Sequence, residues 1–90
     1  MTTRDMAYIV SIAEEQSITR AAAKMYMAQP ALSQCVPKVE KELGVTIFNR
    51  QPNGVKLTAE GECFLEFAKK TLTEQKTMEK KLLDLQNSDR

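Results

Sequence analysis

Gln29 opens a Gln-Pro-Ala-Leu run that Ser33 and Gln34 follow, and each of the three can both donate and accept a hydrogen bond. The Gln29 amide can pair in bidentate fashion with an adenine edge in the major groove of DNA. Pro30 and Ala31 beside them offer the apolar contact that a thymine methyl accepts. Basic residues surround this group. Arg20, Lys24, Lys38, Lys41, Arg50 and Lys56 against Glu40 and Glu42 give Ser17–Thr58 an excess of +4, whereas the rest of the chain, with 7 basic and 10 acidic side chains, carries −3. The whole chain is only +1, so it is the local field that favours a phosphate-bearing partner. Thr19, Arg20, Lys38 and Lys41 are candidates for phosphate contact, which sets register and affinity but not sequence preference. Each reading has a plainer rival. Gln29 could only cap a helix, Ser33 could bond back to a carbonyl of its own helix, and Lys24, Lys41 and Lys56 could be solvated.

Other chemistries find no footing. The chain has no His, and Cys35 and Cys63 have neither disulfide-framework nor zinc spacing. Glycine-rich phosphate loops and nucleophile motifs are missing too, so neither an enzyme nor a cofactor is expected. The two cysteines read as small, part-buried side chains in a reducing cytosol. With no long apolar run and no cleavable signal, the sequence predicts a cytoplasmic chain with no membrane partner. At 90 residues, 42% hydrophobic and 28% charged, it fits one small domain whose burial is marginal and which a dimer partner would help to stabilise.

The elements that must position these residues follow from caps and spacing. Thr2 or Thr3 can cap a first helix, with Asp5 in its first turn and Met6, Ile9, Val10, Ile12 and Ala13 on its inner side. Gln16 ends that helix and Ser17 caps the next, whose Ile18, Ala21, Ala22 and Met25 face inward; the alanines let two helices cross closely. After a turn at Tyr26–Ala28, Pro30 suits the first turn of a third helix. Its apolar stripe is Leu32, Val36, Val39 and Leu43, and Gly44 ends it. Pro37 sits inside that helix, where an interior proline costs about 3 kcal/mol unless the helix bends, so a kink around Ser33–Pro37 is expected. Short strands at Ile47–Asn49 and Val55–Leu57 flank a Gln51-Pro52-Asn53-Gly54 turn. From Thr58 to about Gln86 one long helix follows, about 43 Å in length. The fold class expected is mostly α: a winged helix-turn-helix, with a three-helix core and a short β-hairpin wing over residues 1–57. A linker and dimerisation helix with a C-terminal tail follows over 58–90.

Ser17, Ala21, Ala22, Gln29, Pro30, Ala31, Leu32, Ser33, Glu40, Leu43, Gly44, Phe48, Arg50, Leu57, Thr58 and Gly61 stand in register over half the chain. Together they closely resemble the DNA-binding domain of LysR-type transcriptional regulators. The resemblance implies sequence-specific binding of double-stranded DNA at an interrupted inverted repeat. Recognition helices would sit in successive major grooves and wings would lie toward the minor groove. It places Gln29, Pro30 and Ser33 at the DNA surface, while Arg50 is a DNA-binding candidate through its place in the positive, phosphate-facing segment. It also implies that this chain is the N-terminal part of a longer protein, with any inducer bound elsewhere.

Three positions depart from the family pattern. Ala28 stands where a Ser usually caps the recognition helix and meets the backbone. Gln34 stands where an Arg is common, and Asn53 stands at the wing tip, where a basic residue usually enters the minor groove. These, with Pro37, are the support for a second reading, a helical interaction module that has lost DNA binding. For the long helix the resemblance implies antiparallel pairing in a homodimer, with a tetramer open to a full-length protein. Phe64, Leu65, Ala68, Leu72, Met78, Leu82 and Leu85 are the candidate interface residues; about 29 residues is more helix than one small domain can cover.

Overall fold

The computed structural model describes residues 1–88. In chain order it contains α1 (Thr3–Glu15), α2 (Ile18–Lys24), α3 (Gln29–Leu43), β1 (Phe48–Gln51), β2 (Gly54–Leu57) and α4 (Ala59–Ser88). The 2 strands form an antiparallel hairpin in which Phe48 pairs with Leu57 and Gln51 with Gly54, leaving Pro52-Asn53 as the tip. Strand β1 begins one residue later than the sequence suggests and reaches Gln51. Ile47 instead belongs to the preceding loop and is fully buried there.

Local chemistry sets the boundaries. Thr2 and Asp5 form a reciprocal capping box: Asp5 N–H donates to Thr2 Oγ1 at 3.1 Å and Thr2 N–H to Asp5 Oδ2 at 2.9 Å. Gln16 closes α1 in the left-handed region at φ 55, and the Ser17 hydroxyl accepts from Arg20 N–H to open α2. Tyr26, also at φ 55, turns the chain between α2 and α3 and is almost wholly exposed. Gly44, at φ 72, ends α3 and donates its N–H to the Glu40 carbonyl. Helix α3 is unbroken across Pro37 and runs on to Leu43.

The core lies where α1, α2, α3, the hairpin and the first turns of α4 meet. Ile9, Ile12, Leu32, Ile47 and Val39 are its largest fully buried side chains, and Ala21 and Ala22 are buried at the α2 crossing. Small residues there let helix backbones approach, as the sequence implied. Two expectations are corrected. Leu43 is 40% exposed, and Cys35 takes its place in the stripe with Leu32 and Val39, because α3 turns its last apolar residue past the edge of the domain. Met25 is only half-buried, since α2 has already ended at Lys24.

Asp5 is the one buried charged residue among those described, and only 7% of its surface is exposed. Lys38 Nζ donates to its Oδ2 at 3.1 Å, tying α1 to α3 across 33 residues of sequence. The Thr2 backbone N–H, opposed by desolvation and helped by Lys38, holds the Asp5 carboxyl below the usual 3.8. A depressed folded-state value means that its stabilisation is present above pH 3.8 and is lost as pH falls through that lower value. Asp5→Asn should therefore flatten the acid limb of stability. Urea midpoints followed from about pH 5 to about pH 2 should fall less steeply than in the parent; parallel curves would remove Asp5 from this role. Beside it, burial first and the Asp5 charge second push the Cys35 thiol up to about 11, so it stays protonated at neutral pH.

Candidate nucleic-acid interface

A groove of about 570 Å³ runs between α3 and the hairpin, lined on the helix side by Gln29, Pro30, Ser33, Gln34, Val36, Pro37 and Glu40. Ile18, Phe48 and Val55 form much of its floor, and Arg50 rises from β1 on the opposite wall. The geometry follows from helical phase. Leu32, Cys35 and Val39 hold one face of α3 in the core, which turns Pro30, Gln34 and Pro37 outward and leaves Ser33 on the flank facing the wing. The N-terminal half of α3 thus presents uncharged hydrogen-bonding groups on an exposed ridge of a width that the DNA major groove admits.

Gln29 is the first residue of α3, and the cap position belongs to Ala28, whose side chain makes no capping hydrogen bond. The capping explanation for Gln29 therefore falls away, and its amide is exposed. Ala31 and Gln34 are exposed too, whereas Ser33 is half-buried. Thr19 and Arg20 are exposed in the first turn of α2, and Asn53 is exposed at the hairpin tip.

Lys38 does not line the groove. Its ammonium is paired with Asp5, on the side of α3 that faces α1, with 55% of the side chain still exposed. The sequence could not show this, because the partner is far away in the chain. Lys24 is likewise paired, with Glu15 at 3.2 Å. Lys41 stays exposed toward the base of the hairpin loop, beside Thr46 and Glu60.

Glu40 is a groove residue that the sequence gives as a charge and as part of the family resemblance, without a structural role. Its Oε2 accepts from Ile47 N–H at 2.7 Å and Phe48 N–H at 3.3 Å. The available signal was its phase: it lies three residues after Pro37 and four after Val36, on the wing side of the helix.

Along α4 the candidate interface residues divide in two. Phe64 and Ala68 are buried in the domain's own core, and Leu72 packs against that core, because the first turns of α4 lie on α1. Phe64 and Ala68 are therefore withdrawn from a partner-facing stripe, and Leu72 is half-buried. Leu65 is half-buried. Met78, Leu82 and Leu85 continue the helix beyond the domain, 46%, 52% and 63% exposed, joined by Leu83. No helix among the described residues is long and apolar enough to cross a membrane.

Residues 3–62 match the family described as bacterial regulatory helix-turn-helix protein, lysR family. The chain is 47% identical over 73 residues to the HTH-type transcriptional regulator BsdA of Bacillus subtilis (strain 168), covering 80% of this chain and 25% of that protein. It is 42% identical over 73 residues to the regulator BenM of Acinetobacter baylyi (strain ATCC 33305 / BD413 / ADP1), covering 81% of this chain and 24% of that one. The chain thus spans about a quarter of the length of these curated relatives. Its structure superposes on the BenM DNA-binding domain in a catB site 1 DNA complex with a TM-score of 0.90 at 38% identity, covering 94% of this chain and 96% of the other. The CbnR DNA-binding domain in its DNA complex gives a TM-score of 0.90 at 28% identity, covering 94% and 98%. In sequence and in fold alike, the chain belongs to the lysR family of bacterial regulatory helix-turn-helix proteins.

Proposed function

We propose that this chain binds double-stranded DNA sequence-specifically, as the DNA-reading part of a cytoplasmic bacterial transcription regulator. It acts as a homodimer on an interrupted inverted repeat and catalyses no reaction. The observation that carries it is the exposed ridge Gln29–Gln34 facing Arg50 across an open groove, in a fold whose solved relatives are described as DNA complexes.

In this reading Gln29 and Ser33 meet base edges, Pro30 and Ala31 meet thymine methyl groups, and Gln34 reaches a base or a sugar-phosphate. Thr19 and Arg20 at the start of α2, and the Ala28 backbone at the start of α3, face phosphate. Arg50 and Asn53 belong to the wing contact. Lys38 is left out because Asp5 holds it. The partner copy packs on the outer half of α4, through Met78, Leu82 and Leu85.

Selection of bound duplexes from a random pool tests this directly. An enriched inverted repeat with a spacer is the expected result. No enrichment, with a dimer still present in solution, would favour a helical interaction module that has lost DNA binding. Within the selected site, Gln29→Ala should cost about 1–3 kcal/mol, with little change on random DNA. Equal weakening on both, measured by fluorescence anisotropy, would reduce Gln29 to a structural role.

A further inference from the structure

Two fixed points hold the hairpin. At its outer end Val55 N–H donates to the Gln16 carbonyl at 3.1 Å, and Gly54 lies so close to that carbonyl that no Cβ fits between them. At its base Glu40 reaches out of α3 and accepts from the backbone N–H groups of Ile47 and Phe48 with one carboxylate oxygen. The same residue's carbonyl accepts from Gly44 and Val45 N–H, where the chain leaves the helix. Glu40 thus touches both ends of the connection between α3 and β1, through its main chain and through its side chain. Strand β1 starts at Phe48, and Arg50 follows two residues later on the same face of the strand, toward the groove.

A carboxylate on this wall is chemically out of place for a surface that would meet phosphate. It adds a negative charge to the groove that Gln29, Ser33 and Arg50 share. Its two N–H donors give a physical reason for it, since a charged acceptor binds amide N–H groups more strongly than a neutral one. We propose that Glu40 is a positioning residue that sets the distance between the recognition ridge and the wing. It would thereby fix which outer bases of a half-site, relative to the inner ones, the chain can read. This rests on the DNA-binding reading above and deepens it.

The test compares binding-site selection by the parent chain and by Glu40→Ala, Glu40→Gln and Glu40→Asp. Because a single oxygen takes both N–H groups, the neutral Gln amide oxygen can still accept them, though more weakly, so Glu40→Gln should lose less discrimination at the outer positions than Glu40→Ala. Glu40→Ala should keep the inner preferences, those that Gln29→Ala alters. It should lose about tenfold in discrimination at the outer ones, those that Arg50→Ala alters. Amide hydrogen exchange at Ile47 and Phe48 should speed up in Glu40→Ala while α1 stays protected. Glu40→Asp, one methylene shorter, covers the case in which Glu40→Ala does not fold, and should shift or weaken the outer preferences alone. Outer preferences unchanged in every folded variant, or lost equally at inner and outer positions, would overturn the proposal while leaving DNA binding intact. A parent chain that selects no DNA would remove the reading beneath it, and this inference with it.

Discussion

Leu82→Glu should convert the chain to a monomer in sedimentation velocity and loosen binding to a two-half-site operator by about 10²- to 10⁴-fold. That range is the avidity that simultaneous engagement of two sites provides. The expectation comes from the outer half of α4. Met78, Leu82 and Leu85 recur at i, i+4 and i+7 on one face, all exposed, beyond the reach of the domain's own core. A carboxylate placed in the middle of that row would have to be desolvated without a partner on association. The substitution lies well away from the groove, so binding to an isolated half-site should stay within about twofold of the parent, a difference well below the energy of one base-pair contact. Monomer–dimer behaviour identical to the parent would rule against α4 as the interface.

Gly54→Ala should destabilise the fold by about 3 kcal/mol or more. Two independent costs combine. The residue sits at φ 148, a conformation that side-chain-bearing residues rarely adopt. A Cβ there would also overlap the Gln16 carbonyl oxygen, and what it meets is backbone, which cannot swing aside. The Val55 N–H bond to the same carbonyl would have to lengthen, and the wing would come away from the α1–α2 turn. For a domain of this size, a loss of that order lowers the melting temperature by more than about 10 °C. Gly44→Ala is the internal control. It shares a positive φ, 72, but has open space around the added Cβ, so its loss should be smaller. Equal losses at the two glycines would show that contact with Gln16 contributes nothing.

The elements were legible because their signals are local. Ser17 and Thr58 cap the helices that follow them, Gln16 and Gly44 end helices in the left-handed region, and Pro52-Asn53 turns the hairpin. The polar face of α3 was legible for the same reason, since periodicity alone separates the buried Leu32 and Val39 from the exposed Gln29 and Gln34. What escaped was every contact between groups distant in sequence. The spacing of charges cannot say that Lys38 is bound to Asp5 or that Glu40 is hydrogen-bonded to the hairpin base. Nor can the apolar row of α4 say where it leaves the core; Phe64, Ala68 and Leu82 look alike until α1 is seen to cover only the first turns. The positive φ at Tyr26 had no signal at all, because a tyrosine is not a residue that favours it.

Whether this surface reads DNA is decided by titrating the chain on its selected duplex and on a scrambled duplex of equal length. The titration runs from about 50 to about 200 mM salt. The selected site should be bound at least about 10³-fold more tightly at physiological salt. Affinity for both duplexes should fall linearly on a log–log plot as phosphate counterions are displaced. Equal affinity for the two duplexes, or affinity indifferent to salt, would contradict DNA reading by this surface.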